Sequence, residues 1–169
     1  MWIDRVIELE PRERMVAIKN VTLAEDHLHD HFAATDTRPA QAVMPASLII
    51  EGMAQTAGVL VGHAEDFREK VILAKVSDAT LEEDAGPGTT LRYTAEISQM
   101  DEKGASTRGT VEIFDHAKAD EGYRQIGTID LMFAHIDQNR AGIEFPEHNF
   151  VFGDQFKNLL RASGIEPPA

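Results

Sequence analysis

The 169-residue chain has no cysteine, which excludes a disulfide framework, a thiolate nucleophile and a thiolate metal site. Basic residues are scarce: 16 Lys and Arg stand against 29 Asp and Glu, a formal charge of −13. That balance disfavours nucleic acid and anionic membranes as partners, because attraction to phosphate needs the opposite sign. No long apolar run is free of polar groups. The longest, Val43 to Val61, carries Ser47, Glu51, Gln55 and Thr56, and an ionisable group near its centre would be costly in lipid. It reads as a helix buried inside a globular protein, with no membrane span expected. The opening MWIDRVIELE has no basic region ahead of an apolar one, so no secretory leader is expected and the cytoplasm is the expected location. What is present, 43% hydrophobic and 27% charged residues, is ordinary for one globular domain with a real core.

Along the chain, two extended segments come first, Ile3 to Leu9 and Arg14 to Leu23, joined by the turn signal Glu10-Pro11-Arg12-Glu13. A histidine segment and a polar loop, Ala33 to Ala42, precede the apolar run from Pro45 to Gly62. Its length predicts a helix, with Pro45 at the start, where no N–H is missed, and Gly62 as a plausible stop. Val71 to Val76 is short and nearly continuously apolar, which predicts a strand buried on both faces. After the turn cluster Ala85-Gly86-Pro87-Gly88, Leu91, Tyr93, Ala95 and Ile97 alternate with Arg92, Thr94, Glu96 and Ser98. That alternation is the clearest strand signal in the chain. Further strands are expected over Ala105–Phe114 and Gln125–Ile136, and a short helix bearing Phe156, Leu159 and Leu160 between Gly153-Asp154 and Gly164. Two strands, one buried helix and about four more strands define an α+β class, the helix packed on an antiparallel sheet.

Two groups of residues carry chemistry. Ser47, Glu51 and Gln55 are four apart and share one stripe of the helix. A carboxyl there is at a solvent or subunit edge, is paired, or is desolvated and held as a proton donor. Glycines 52, 58 and 62 favour close packing and hence burial. The second group is HLHDHF, His27 to Phe32. In an extended segment its three histidines would share a face, as in H-x-H metal sites. The string misses the H-x-H-x-D-H pattern of metallo-hydrolases by one residue, because Asp30 follows His29 directly. His63, His116, His135 and His148 are scattered. No metal and no cofactor is therefore expected.

Beyond these patterns, WIDRVIELEPRERMVAIKNVT, His31-Phe32, MPASLIIEGMAQTAGVL and VILAKVSDATLEEDAGPGT resemble the β-hydroxyacyl-acyl carrier protein dehydratases of type II fatty-acid synthesis. The resemblance runs through about four fifths of the chain. It implies a hotdog fold, a long central helix wrapped by a curved antiparallel sheet, over residues 1–140, with 141–169 as a C-terminal extension. It implies dehydration of a 3-hydroxyacyl thioester to the trans-2-enoyl thioester, on acyl carrier protein or coenzyme A, by a homodimer with shared active sites. A hexamer of such dimers is left open. By position, His31 of one protomer is the catalytic base and Glu51 of the other the acid; Pro45, Ala46 and Gln55 are the substrate-binding candidates. These residue types suit the reaction. Imidazole exchanges protons near neutrality, and free N–H groups at a helix start stabilise a developing enolate oxygen.

Three departures matter. The interval from His31 to Glu51 is six residues longer than the family's, the additional chain lying in AATDTRPAQAV, and Ala33-Ala34 replaces the family's Pro-Gly. Ala46 stands where the family has glycine. Glu82-Glu83-Asp84 is acidic where relatives are often basic, with Arg38, Arg68 and Lys70 as the cations that could compensate. A hotdog acyl thioesterase and a non-catalytic acyl-thioester-binding relative are the alternatives these departures leave.

Overall fold

The structure, a computed structural model, describes residues 1–136 and 151–167. Strands β1 (Arg5–Glu10) and β2 (Arg14–Val21) form an antiparallel hairpin, turned by Arg12 at φ 68°. One helical turn, α1 (His27–Asp30), and the long helix α2 (Ala46–Ala64) follow. Strands β3 (Lys70–Leu81), β4 (Thr89–Asp101), β5 (Gly104–Asp115) and β6 (Arg124–Ile136) complete one antiparallel sheet in the order β1-β2-β4-β5-β6-β3. Helix α3 (Asp154–Ala162) packs on β1, with the Ser163 hydroxyl accepting the Val6 N–H at 3.0 Å. The boundary expected at 140/141 lies outside the described residues.

The sheet curves around α2, which touches β2, β3, β4, β5 and β6. Periodicity explains the contact: Leu91, Tyr93 and Ala95 of β4 are buried while Arg92, Thr94 and Glu96 are not. Ile49, Met53 and Leu60 of α2 meet them in the core, joined by Val111, Ile113, Ile129 and Leu131. Each such side chain contributes roughly 1.5–3 kcal/mol by leaving water. Lys19 of β2, only 5% exposed, is held by Asp4 at 3.2 Å and Glu25 at 2.6 Å. These two ion pairs tie β2 to the residue before β1 and to the segment that leads into α1.

Three expectations are corrected. The HLHD segment is helical, not extended: Leu28 is buried and anchors a turn that places His27 and His31 on one side and His29 on another. Val71–Val76 is not buried on both faces. It lies in β3, the sheet's edge strand, where Val71 is buried but Leu73 and Val76 are 36% and 39% exposed. A short apolar run reads the same whether its strand is central or at an edge. Gly62 does not end the helix, which runs on to Ala64. A Cβ on Gly62 would lie 2.5 Å from Cζ of Phe152, so the glycine makes room for that ring. The chain leaves α2 through Asp66 and Phe67, both left-handed (φ 51° and 55°), with the Phe67 N–H donating to Gly62 O at 2.7 Å.

Candidate active site on the central helix

Helix α2 brings Glu51 and Gln55 together. Their four-residue spacing lets the Gln55 amide nitrogen donate to Glu51 Oε1 at 2.9 Å. Gln55 Oε1 in turn accepts the backbone N–H of Trp2 at 2.8 Å. Because that N–H can only donate, it fixes which way the amide faces: oxygen toward Trp2, NH₂ toward Glu51. The Trp2 backbone can come this close because residue 52 is glycine; a Cβ there would lie 2.8 Å from Trp2 O.

Glu51 is exposed in the single chain, contrary to the burial that the neighbouring glycines suggested. Those glycines admit Tyr93 and Trp2 at position 52 and Phe152 at position 62, and so do not enclose the carboxyl. Glu51 and Gln55 open onto a cleft of about 240 Å³. Ala54, Gly58 and Val59 of α2, Val71 and Leu73 of β3, and Phe133 of β6 form its apolar sides. Val151, Phe152 and Phe156 close it from the C-terminal segment.

His31 is exposed and follows α1, its ring edge-on to Phe32 with centroids 4.5 Å apart. Among the described residues no hydrogen bond or ion pair joins His31 to Glu51 of the same chain. The additional residues after His31 do not stretch the path to α2. The Gln41 N–H donates to Phe32 O at 3.0 Å, and Thr35 and Arg38 pair across a tight turn, so the insertion loops out between two joined ends. Arg38 lies over the Phe32 ring, 5.8 Å from its centroid. The other two histidines are otherwise engaged. His27 packs edge-on against Trp2 at 5.1 Å, and His29 Nε2 pairs with Leu23 O at 2.5 Å.

At the start of α2, Pro45 O accepts the N–H groups of Leu48 and Ile49. The Ala46 and Ser47 N–H groups precede the first intrahelical bonds, as at any helix start. Met44 N–H donates to Ala85 O at 2.8 Å, pinning this end to the loop before β4. Ala46 lines a different depression from Glu51, shared with Glu82, Glu83 and Asp84. Hydrogen bonds from Arg124 hold the Glu83 carboxyl below the usual carboxylate range. Of the cations considered as compensation, Lys70 is buried and Arg68 is paired with Asp66 at 2.6 Å.

Two contributions to the site were not read from sequence. Trp2 acts through its backbone, which no side-chain pattern signals. Phe152 and Phe156 lie about a hundred residues from Glu51, and their meeting at the cleft is purely tertiary.

A helix wrapped by an antiparallel sheet, with one carboxylate facing an apolar cleft from that helix, defines a hotdog-fold protein. The chain belongs to the FabA-like domain family, whose model matches residues 1–121. It is 35% identical over 140 residues to the 3-hydroxyacyl-acyl-carrier-protein dehydratase FabZ of Clostridium kluyveri, covering 82% of this chain and 88% of that protein. The dehydratase FabZ of Symbiobacterium thermophilum is 35% identical over 121 residues, 71% of this chain and 81% of its own length. Among solved structures, the dehydratase heterocomplex ApeI:P of Xenorhabdus doucetiae superposes with TM-score 0.60 at 19% identity, covering 81% of this chain and 84% of that one. A thioesterase family protein of Silicibacter pomeroyi also gives 0.60 at 14% identity, over 78% and 83%. At such identities these structures establish the fold alone.

Proposed function

We propose that the protein is a hydro-lyase that converts a 3-hydroxyacyl thioester to the trans-2-enoyl thioester. The observation that carries this reading is the Glu51–Gln55 pair on α2 facing an apolar cleft, in a chain of the FabA-like family. The names of its 35%-identical relatives supply the substrate class, a 3-hydroxyacyl group on acyl carrier protein.

In the proposed reaction, His31 takes the C2 proton and Glu51 donates a proton to the C3 hydroxyl. The C–O bond breaks, water leaves, and the electrons of the C2–H bond become the C2=C3 double bond. Negative charge that gathers on the thioester oxygen is met in this reading by the Ala46 N–H at the positive end of α2, which in the single chain opens onto the neighbouring depression, so the thioester head spans from there to Glu51. Gln55 keeps the Glu51 carboxyl in one orientation, and the acyl chain lies along the apolar face of the helix.

His31 and Glu51 act across a homodimer in this reading. Support comes from β3, which among the described residues is an edge strand paired only with β6 and presents Leu73 and Val76 to solvent, the condition under which sheets extend between copies. Residues 1–140 form the catalytic domain and 141–169 the extension. The reaction is assigned to the cytoplasm; among the described residues no helix is long and apolar enough to cross a membrane.

The test is a turnover assay with 3-hydroxyacyl thioesters on acyl carrier protein and on coenzyme A, following enoyl formation and free-thiol release together. Enoyl product that disappears in His31→Ala and Glu51→Gln is the expected result. Thiol release without enoyl product would replace this reading with a thioesterase.

A further inference from the structure

The cleft beside Glu51 is bordered by Val151, Phe152 and Phe156, which lie beyond the 1–121 region matched by the family. From Glu51 to Gly58 the cleft follows α2 for seven residues, about 10 Å at the helical rise. One turn further, at Gly62, lies Phe152, which is 2% exposed and whose ring fills the space left by that glycine. Phe67 (centroids 4.9 Å) and Phe156 (5.8 Å) both pack edge-on against Phe152. Edge-to-face aromatic packing of this kind is favourable beyond the area it buries, so these rings form a packed boundary of the cleft.

Resting on the dehydratase reading, we infer that the C-terminal segment sets acyl-chain length: Phe152 and Phe156 stop the chain one helical turn past Gly58. The enzyme accepts short and medium 3-hydroxyacyl chains and excludes long ones. The lining agrees. Beyond Glu51 and Gln55 every lining residue is apolar or glycine, which suits an alkyl chain with a polar thioester head at the Glu51 end.

Two substitutions move this wall in opposite directions. Phe156→Ala removes a ring from it. Gly58→Ala adds a methyl inside the cleft, and its Cβ meets nothing nearer than Phe133 Cε1 at 3.5 Å, an ordinary contact. Alanine is also the better helix former, so this second variant stays informative if Phe156→Ala loosens α3. Two readouts are taken on the full chain over a ladder of chain lengths: kcat/KM for 3-hydroxyacyl thioesters, and calorimetric affinity for saturated S-alkyl pantetheine thioethers. Each methylene buried is worth about fourfold in either quantity.

The expected result is an optimum that shifts to longer chains in Phe156→Ala and to shorter ones in Gly58→Ala, in both readouts. Unchanged profiles in both variants would overturn the wall while leaving the dehydratase reading intact. A shifted thioether profile with no turnover of any thioester would support the wall and remove the dehydratase reading. Absence of thioether binding to wild type at every length would overturn the wall.

Discussion

Gln55 donates one hydrogen bond to Glu51 Oε1 at 2.9 Å while its own oxygen accepts the Trp2 N–H at 2.8 Å. The amide thereby links the first residues of the chain to the carboxylate proposed to do chemistry, and among the described residues it is Oε1, not Oε2, that it engages. Removing the amide in Gln55→Ala is expected to lower kcat by about tenfold to a hundredfold, the range in which small misplacements of a catalytic group act. Trp2→Pro, which lacks the N–H, should lose more activity than Trp2→Phe, which keeps it. Steady-state kinetics of the three variants, with circular dichroism to verify folding, checks this; equal activity in Trp2→Pro and Trp2→Phe would contradict it.

The Tyr93 hydroxyl is buried and has no hydrogen-bond partner among the described residues. Burial, and then the negative charges of Asp4 and Glu25, push its pKa far above the ordinary value. In the unfolded chain the phenol ionises near pH ~10. The raised folded-state value means that stability from the neutral phenol is complete below that pH and declines as pH rises above it. Tyr93→Phe deletes an unsatisfied polar group and should raise stability at neutral pH by about 1 kcal/mol. It should also flatten the alkaline loss. Denaturant titrations from pH 7 to about 11 measure both effects.

Glu83 titrates in the opposite sense. Its folded-state value is lowered by the hydrogen bonds from Arg124, so the pair's contribution is present above the ordinary carboxylate range and is lost as pH falls through the lowered value. Both partners are substantially exposed, and the pair is screened by salt. In Glu83→Gln the acid limb of the stability profile should change only slightly, and the difference from wild type should vanish at high ionic strength.

Lys19→Met leaves Asp4 and Glu25 without their shared cation. A loss of about 2 kcal/mol is expected, between the values for exposed and for buried pairs. Because the same cluster ties β2 and the residue before β1 to the segment leading to α1, thermal unfolding should be accompanied by a fall in turnover at temperatures where wild type is still folded. Unchanged thermal stability would show that Lys19 is better desolvated without its charge than paired with it.

The elements most legible in the sequence were those with an undisturbed period. Leu91, Tyr93 and Ala95 alternate in sequence and are buried in β4, and the apolar length behind Pro45 became α2. The Glu51–Gln55 contact was also legible, because four-residue spacing on a helix dictates it. Other features had no local signal. One turn of helix at His27–Asp30 is too short to display a period. An edge strand and a central one can share the composition of Val71–Val76. Gly62 resembles a helix stop, yet it is a seat for Phe152, and nothing near Gly62 in sequence announces a ring ninety residues away. Glu51 was expected to be buried and is exposed in the single chain; its enclosure is a matter for the dimer proposed above.

That dimer, with His31 of one protomer serving Glu51 of the other, is tested most directly by complementation. His31→Ala and Glu51→Gln are each expected to be inactive in enoyl formation. When the two are co-unfolded and refolded together, half of the dimers are mixed, and each mixed dimer carries one intact site of two. Recovery of about a quarter of wild-type activity is therefore expected for a symmetric dimer with shared sites. A mixture as inactive as either variant alone would contradict the shared His31–Glu51 site.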